Sequence, residues 1–393
     1  MARFLGGGLN EMPELADIIG QEEAISRLQH ALASNRMPHA YIFAGPAGVG
    51  RRTTALALAK TLLCAKPITI KKPADERSES AGSVPFRQAC GECEDCRMMD
   101  AASHPDFHLI YKELAAYHDD PKVRDRKMQD LGIDVIRSFL IDPAYRSAAR
   151  GRGRAFVVLE AELMSREAQN ALLKTLEEPP AGVTIILICQ QSQQLLPTTL
   201  SRCALRRFGL LPKEFVARTL QQRGAGKQEA QFWAGFTGGS VGRAIRLSAQ
   251  GLYEAKCRLI ERLTSGDEVD LGEHLIGLME KLATAAEAEA KAAGGPELAK
   301  TVASRRAAGA LLELLASAFQ DALYIATGST QPIVNSDQSR QVSALAGRFD
   351  AARLADVIQQ LSDYEDLLWR NVNPKTVWDN VAVTCVSAAR LRL

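Results

Sequence analysis

The sequence predicts an α/β domain built on a parallel sheet with helices on both faces, followed by a chain that is helical to its end. Three observations carry this prediction. Apolar strand-like runs, AYIFAG (40–45), RAFVVLEAE (154–162) and VTIILICQ (183–190), alternate with helical patterns, as βα units do. The first of them runs straight into GPAGVGRRTT (45–54), giving strand, glycine loop and helix in the order a phosphate-binding loop requires. After Phe208 only helical periodicity remains.

The elements follow in order. QEEAISRLQHALASNR (21–36) repeats Ala24, Ile25, Leu28, Ala31 and Leu32 at helical spacing and is closed by Pro38. TTALALAK (53–60) continues the glycine loop as helix. Residues 66–88, KPITIKKPADERSESAGSVPFRQ, are polar and rich in Pro, Ser and charge, the composition of a flexible surface insertion. SREAQNALLKTLEE between the last two strands is a helix that Pro179 and Pro180 stop. Short helices fill the chain to about residue 250, and from 251 onward the pattern is long amphipathic helices. One of these carries the run KLATAAEAEAKAAGG, with a break at Gly294, Gly295 and Pro296.

A chain of 393 residues is long enough for two or three domains, each with its own core. Lys and Arg number 48 against 46 Asp and Glu, a net charge of +2. There is no global pull toward nucleic acid or membrane. The N-terminus has no apolar leader, and no segment holds the roughly 18 uninterrupted apolar residues of a membrane span. The expected location is cytoplasmic. Eight Cys are too few for a disulfide scaffold in a chain of this size, and three crowded into CGECEDC argue for a metal in a reducing compartment.

In a working phosphate loop, glycines let backbone N–H groups converge on the phosphates, Lys neutralises them, and the next Ser or Thr holds Mg²⁺. Gly45, Gly48 and Gly50 keep the cradle, but Arg51 and Arg52 stand in place of Lys and Ser or Thr. A guanidinium is not a positional substitute for a compact ammonium, and Arg52 has no oxygen for a metal. Thr53 lies about 100° further round the helix, facing elsewhere. The second metal position is damaged too: counting back from NALLKTLEEPP, Leu159 stands where the strand-end Asp belongs, with Glu160 after it. Two losses at one metal site argue against hydrolysis. They leave two readings of the glycines, a tight turn that binds nothing or residual nucleotide binding without turnover.

Cys90, Cys93 and Cys96 are separated by two-residue gaps that let a short turn aim three thiolates at one tetrahedral ion. A structural zinc takes a fourth ligand. Cys64, at the end of the glycine-loop helix, is favoured over His104 and His108; the longer loop is no serious objection, because closing it costs only on the order of 1 kcal/mol more. Three reduced surface thiols without metal are the other reading. No HExxH pattern suggests catalytic zinc.

DIIGQEEAISRLQHAL, RMPHAYIFAGPAGVG, the cysteine knuckle after the glycine-loop helix, NALLKTLEEPP and LLPTTLSRC, taken together over residues 15–250, resemble bacterial clamp-loader subunits of DNA polymerase III, members of the AAA+ family. RNVNPK (370–375) is similar to the last helical domain of that family. The resemblance implies an AAA+ domain at 1–208 with a zinc knuckle at 64–96, a helical lid at 209–250 and a helical collar at 251–393. Motor subunits of the family keep Lys, Thr and Asp, so the degenerate loop implies the delta prime type, a stator without turnover of its own. It also makes Arg202, between Ser201 and Cys203, an arginine finger offered to ATP on a neighbouring subunit. Arg243 resembles a sensor arginine that survives as a structural contact. Implied partners are the motor subunits (gamma/tau), the delta subunit and, through the assembled complex, the sliding clamp and primed DNA.

Two features depart from the family pattern: the insertion after Cys64, and YKELAAYHDDPKVRD (111–125), which has no assigned role. Arg146, Arg150, Arg152 and Arg154 fit either a solvated loop or DNA phosphate contacts. The competing functions are an active motor-type AAA+ ATPase and a zinc-dependent DNA-binding module.

Overall fold

Among the described residues, seven strands run through the first part of the chain: β1 (Ala40–Ala44), β2 (Ile68–Ile70), β3 (Phe86–Gln88), β4 (Phe107–Ile110), β5 (Arg154–Val158), β6 (Val183–Cys189) and β7 (Ala204–Arg207). Five of them form one sheet in the order β4-β5-β6-β1-β7, with every neighbouring pair parallel. The computed structural model describes residues 12–70, 85–124, 130–265, 270–292, 300–370 and 372–387. They divide into two compact units, Met1–Leu211 and Pro212–Leu393.

The central strand β1 is buried at every position, as a strand covered on both faces must be. Alternate residues serve opposite cores. Tyr41 and Phe43, with Val157, Ile186 and Ile188, pack toward α1 (Glu22–Ala33) and α2 (Arg51–Leu63). Ile42, with Phe156, Val158, Ile185 and Leu187, packs on the other face against Leu172 and Leu176 of α4 (Arg166–Glu177). The expected α/β core, a parallel sheet with helices on both faces, is therefore observed.

The 66–88 insertion needs correction. Its two ends are paired strands rather than irregular chain: β2, still at the surface, and β3 pair antiparallel, from Ile68 against Gln88 to Ile70 against Phe86. Gln29 of α1 clamps this ladder, its amide donating to the Arg87 carbonyl at 2.8 Å and its oxygen accepting the Arg87 N–H at 2.6 Å. Residues 71–84 lie outside the described residues, as do 1–11 and the expected break at 294–296. After β3 the chain makes α3 (Glu94–Asp100).

Lys60 of α2 ties these pieces together. Its ammonium is only 2% exposed and lies 2.8 Å from Glu14 and 2.9 Å from Asp100. The same Asp100 accepts the Met12 N–H at 2.7 Å.

The second unit is helical: α5 (Lys213–Gln222), α6 (Lys227–Phe236), α7 (Val241–Ala249), α8 (Leu252–Ser265), α9 (Leu271–Ala292), α10 (Lys300–Ala326), α11 (Ser339–Arg348), α12 (Ala351–Trp369) and α13 (Pro374–Val386). Trp233 and Trp378 are fully buried. The buried Lys256 of α8 lies 2.6 Å from Asp337 and 4.1 Å above the Phe232 ring of α6, so α6 and α8 share one charged anchor. Residues Val302–Ala326 are long and apolar enough to cross a membrane by length and composition, but half of that apolar window is buried. The helix packs against α9, α11 and α12, the environment of a core helix.

Candidate functional site

The glycine loop joins β1 to α2 at the C-terminal edge of the sheet. Gly45, Gly48 and Gly50 all have positive φ, +152°, +76° and +98°. A Cβ on Gly45 would stand 2.2 Å from the Phe208 carbonyl oxygen, so this glycine is required by the close approach of the chain after β7. Gly50 is the N-cap of α2 and has open space where its Cβ would project. Its glycine is required by φ alone.

Arg51 does not face that space. Its side chain, 9% exposed, folds back and donates a hydrogen bond to the carbonyl of Cys189, the last residue of β6. Burial lowers its pKa, against the opposing pull of Glu162. Arg52 is also sunk, and burial brings it down to about 10. Both remain cationic at neutral pH. Thr53 is exposed, and Thr54 spends its hydroxyl on the Gly50 carbonyl at 2.9 Å.

At the second metal position β5 ends at Val158. The Leu159 N–H still donates to Ile110 at 2.8 Å, and its side chain packs against the core. Glu160 follows in the left-handed region, φ +49°, and its carboxylate pairs with Lys112 at 3.2 Å. Lys112 opens the helical turn Lys112–Tyr117. Lys112, at the start of the unassigned 111–125 segment, therefore brings a cation to this strand end. Glu162, two residues on, accepts the Gln190 N–H at 3.0 Å. Neither Lys112 nor Glu162 carried a sequence signal, because both meet their partners through strand order.

Arg202 lies at the other end of the strands. Ala204 pairs with Tyr41 and Arg207 with Ala44. At about 3.3 Å per residue, the rise from Ala204 to Arg207 alone puts about 10 Å between Arg202 and the level of the cradle. The guanidinium lies 2.5 Å from Glu177. It donates to the Thr198 carbonyl at 2.9 Å and to Ser201 Oγ at 3.2 Å. About a third of the side chain stays exposed, 32%. Cys203 is half-buried, and burial pushes its thiol up to about 12.

Arg243 of α7 pairs with Glu313 of α10 and lies 5.4 Å from the Phe236 ring centroid. Its contacts are thus made inside the helical unit.

Cys64, Cys90, Cys93 and Cys96 converge, all four sulfurs within 4.8 Å of one another. Tetrahedral coordination at about 2.3 Å per Zn–S bond puts sulfurs about 3.8 Å apart. Cys64 lies 3.5 Å from Cys90 and 3.8 Å from Cys93, and Cys90 lies 3.9 Å from Cys96. Main-chain N–H groups point at three of them: Cys90 N–H at Cys64, Cys93 N–H at Cys90, and Cys96 N–H at Cys93, at 3.3–3.4 Å. At Cys93 burial opposes ionisation, but the N–H groups of Cys96 and Ala65 together with the Cys96 and Cys90 side chains outweigh it and bring the thiol down to about 6. This donor set fits a structural metal ion.

The two histidines are engaged elsewhere. His104 Nδ1 accepts the Asp106 N–H at 3.1 Å. His108 stacks on Phe156, ring centroids 4.7 Å apart.

The basic run 146–154 is an ordered loop. Asp106 accepts the N–H groups of Ala149 and Arg150 at 2.7 and 2.8 Å. Arg150 pairs with Glu94 at 2.6 Å and Asp95 at 2.8 Å. Arg154 donates to the carbonyls of Pro143 and Ser147, and Arg152 to that of Cys64 at 3.4 Å. Arg146 is exposed.

With this geometry in place, comparison with known proteins is specific. The family model described as "DNA polymerase III, delta subunit" matches residues 20–211, and "DNA polymerase III, delta subunit, C terminal" matches 277–380. The delta prime subunit of DNA polymerase III from Pseudomonas aeruginosa is 34% identical, over 63% of this chain and 66% of that protein. The delta prime subunit from Bacillus subtilis is 27% identical, over 64% and 65%. The tau subunit from Salmonella typhimurium is 34% identical over 52% of this chain but only 27% of its own length. The chain thus spans about two thirds of its delta prime relatives.

Proposed function

We propose, for a chain that belongs to the DNA polymerase III clamp-loader subunits of the delta prime type, the role of a non-hydrolysing stator that offers Arg202 to ATP on a neighbouring subunit. The supporting observation is the division of the sheet into two ends. At the cradle end the cation is turned onto Cys189, and the metal position holds Leu159 beside a Glu160 already paired with Lys112. At the opposite end Arg202 stays partly exposed, too far from its own cradle to act there.

A guanidinium set against the charge developing on transferring phosphoryl oxygens raises rates by about 10³ to 10⁵. It needs no nucleotide in cis. On this reading the chain joins gamma/tau motor subunits and a delta subunit in the cytoplasm, and the assembled complex loads the sliding clamp onto primed DNA. Cys64, Cys90, Cys93 and Cys96 hold a structural zinc, which joins the end of α2 to the knuckle and takes no part in chemistry. The 209–250 segment acts as lid and 251–393 as collar, with Arg243 serving their packing. The DNA-binding alternative is disfavoured because Arg150 and Arg154 are committed within the chain.

The test is a complex reconstituted from this chain with gamma/tau and delta subunits. Arg202→Ala should assemble normally and lose most clamp-stimulated ATP turnover; turnover equal to wild type refutes the finger. The isolated chain with Mg-ATP should show none. Metal analysis should find about one zinc per chain, and a Cys64→Ser protein that still holds it tightly would reassign the fourth ligand.

A further inference from the structure

We infer that Glu177 is a positioning residue for Arg202, an inference that rests on the reading of Arg202 as a group offered to a neighbour's nucleotide. Glu177 is the last residue of α4, and Pro179 and Pro180 stop the chain from continuing as helix just beyond it. A carboxylate in the last turn opposes the helix dipole, so Glu177 is not explained by the helix it ends. What it meets there is Arg202, at 2.5 Å.

The guanidinium is held from two elements at once. One Nη nitrogen faces Glu177, and the other donates to Thr198 and Ser201 on the turn that follows β6. Arg has five N–H donors. Two, both on one Nη, donate to Thr198 and Ser201, while the other Nη is paired with Glu177; a bidentate contact to a phosphate takes two. With Glu177 49% exposed, the pair contributes little to stability. Its effect is on orientation: a long side chain that would otherwise sample many rotamers is fixed before a partner arrives, and a reacting group's placement controls rate more steeply than affinity.

The experiment measures ATP turnover and KM of the reconstituted complex with clamp and primed DNA. Glu177→Ala should lower kcat on the order of 10-fold with KM for ATP unchanged, the response to a misplaced group. Glu177→Gln, whose amide oxygen still accepts from Nη, should recover part of that loss. Glu177→Lys, which repels the guanidinium, should fall below Glu177→Ala. In an Arg202→Ala background Glu177→Ala should add nothing.

A kcat at or above wild type in Glu177→Ala or Glu177→Lys overturns the inference while leaving the finger standing, provided Arg202→Ala is impaired. If Arg202→Ala is itself unimpaired, the functional reading fails and this one falls with it.

Discussion

Arg51 donates a hydrogen bond to the main-chain carbonyl of Cys189, 138 residues away in sequence. The cation of the glycine loop is therefore part of the sheet's closure. Removing it takes away a charged donor and leaves a buried carbonyl without that partner, a loss of about 2 kcal/mol. Arg51→Ala should show that loss in urea melts; an unchanged midpoint would mean the guanidinium is not engaged there.

Gly45 and Gly50 should respond differently to a methyl group. At Gly45 the new Cβ meets the Phe208 carbonyl at 2.2 Å with φ at +152°, and backbone must move. Gly45→Ala should cost about 3 kcal/mol. At Gly50 nothing stands within 4 Å, so Gly50→Ala should cost only the left-handed conformation, about 1 kcal/mol. Equal losses in thermal melts would remove the packing explanation for Gly45.

Lys60 is charged despite its burial, because Glu14 and Asp100 more than offset the desolvation that works against it and raise its pKa. Lys60→Met leaves two carboxylates without their cation, and breaking such a pair costs about 3 kcal/mol. The penalty should be largest at neutral pH and shrink in acid, where protonation discharges Glu14, whose pKa burial raises. Urea melts at pH 7 and pH 4.5 should show the variant closing on wild type; a pH-independent gap would contradict the assignment.

Burial, with Arg154 adding to it, brings His108 down to about 4. An unfolded histidine titrates near about 6.5. Between those values the unfolded chain binds a proton that the folded chain refuses, so stability falls as pH drops through this window and levels below it. His108→Phe keeps the stack on Phe156 and removes the proton. Its stability should decline less than wild type between pH 7 and pH 4.5, and parallel declines would rule His108 out as a source.

The cysteine site was legible from sequence because thiols at two-residue spacing have few other uses. The central strands were legible because burial on both faces demands an unbroken apolar run. Edge strands were not. β4 is four residues, Phe107–Ile110, and β7 is Ala-Leu-Arg-Arg, half-buried at best. Neither has the length or alternation that periodicity detects. The base of the 66–88 insertion was hidden for the same reason, as two three-residue strands, one of them held by Gln29 from α1.

The missing Lys and Asp of the cradle could be counted off the chain. Where Arg51 turns, what neutralises Glu160 and what holds Arg202 could not. Each depends on residues that only strand order brings together: Cys189, Lys112 and Glu177.

Parallel strands give this domain a head and a tail, with the glycine loop at one and Arg202 at the other. Chains joined head to tail around a ring would each present a cradle to one flank and an arginine to the opposite flank. On the proposed reading, a member that turns over no ATP would contribute only its arginine, and the circle would have one silent junction. Such a junction would set a first and a last position among the members.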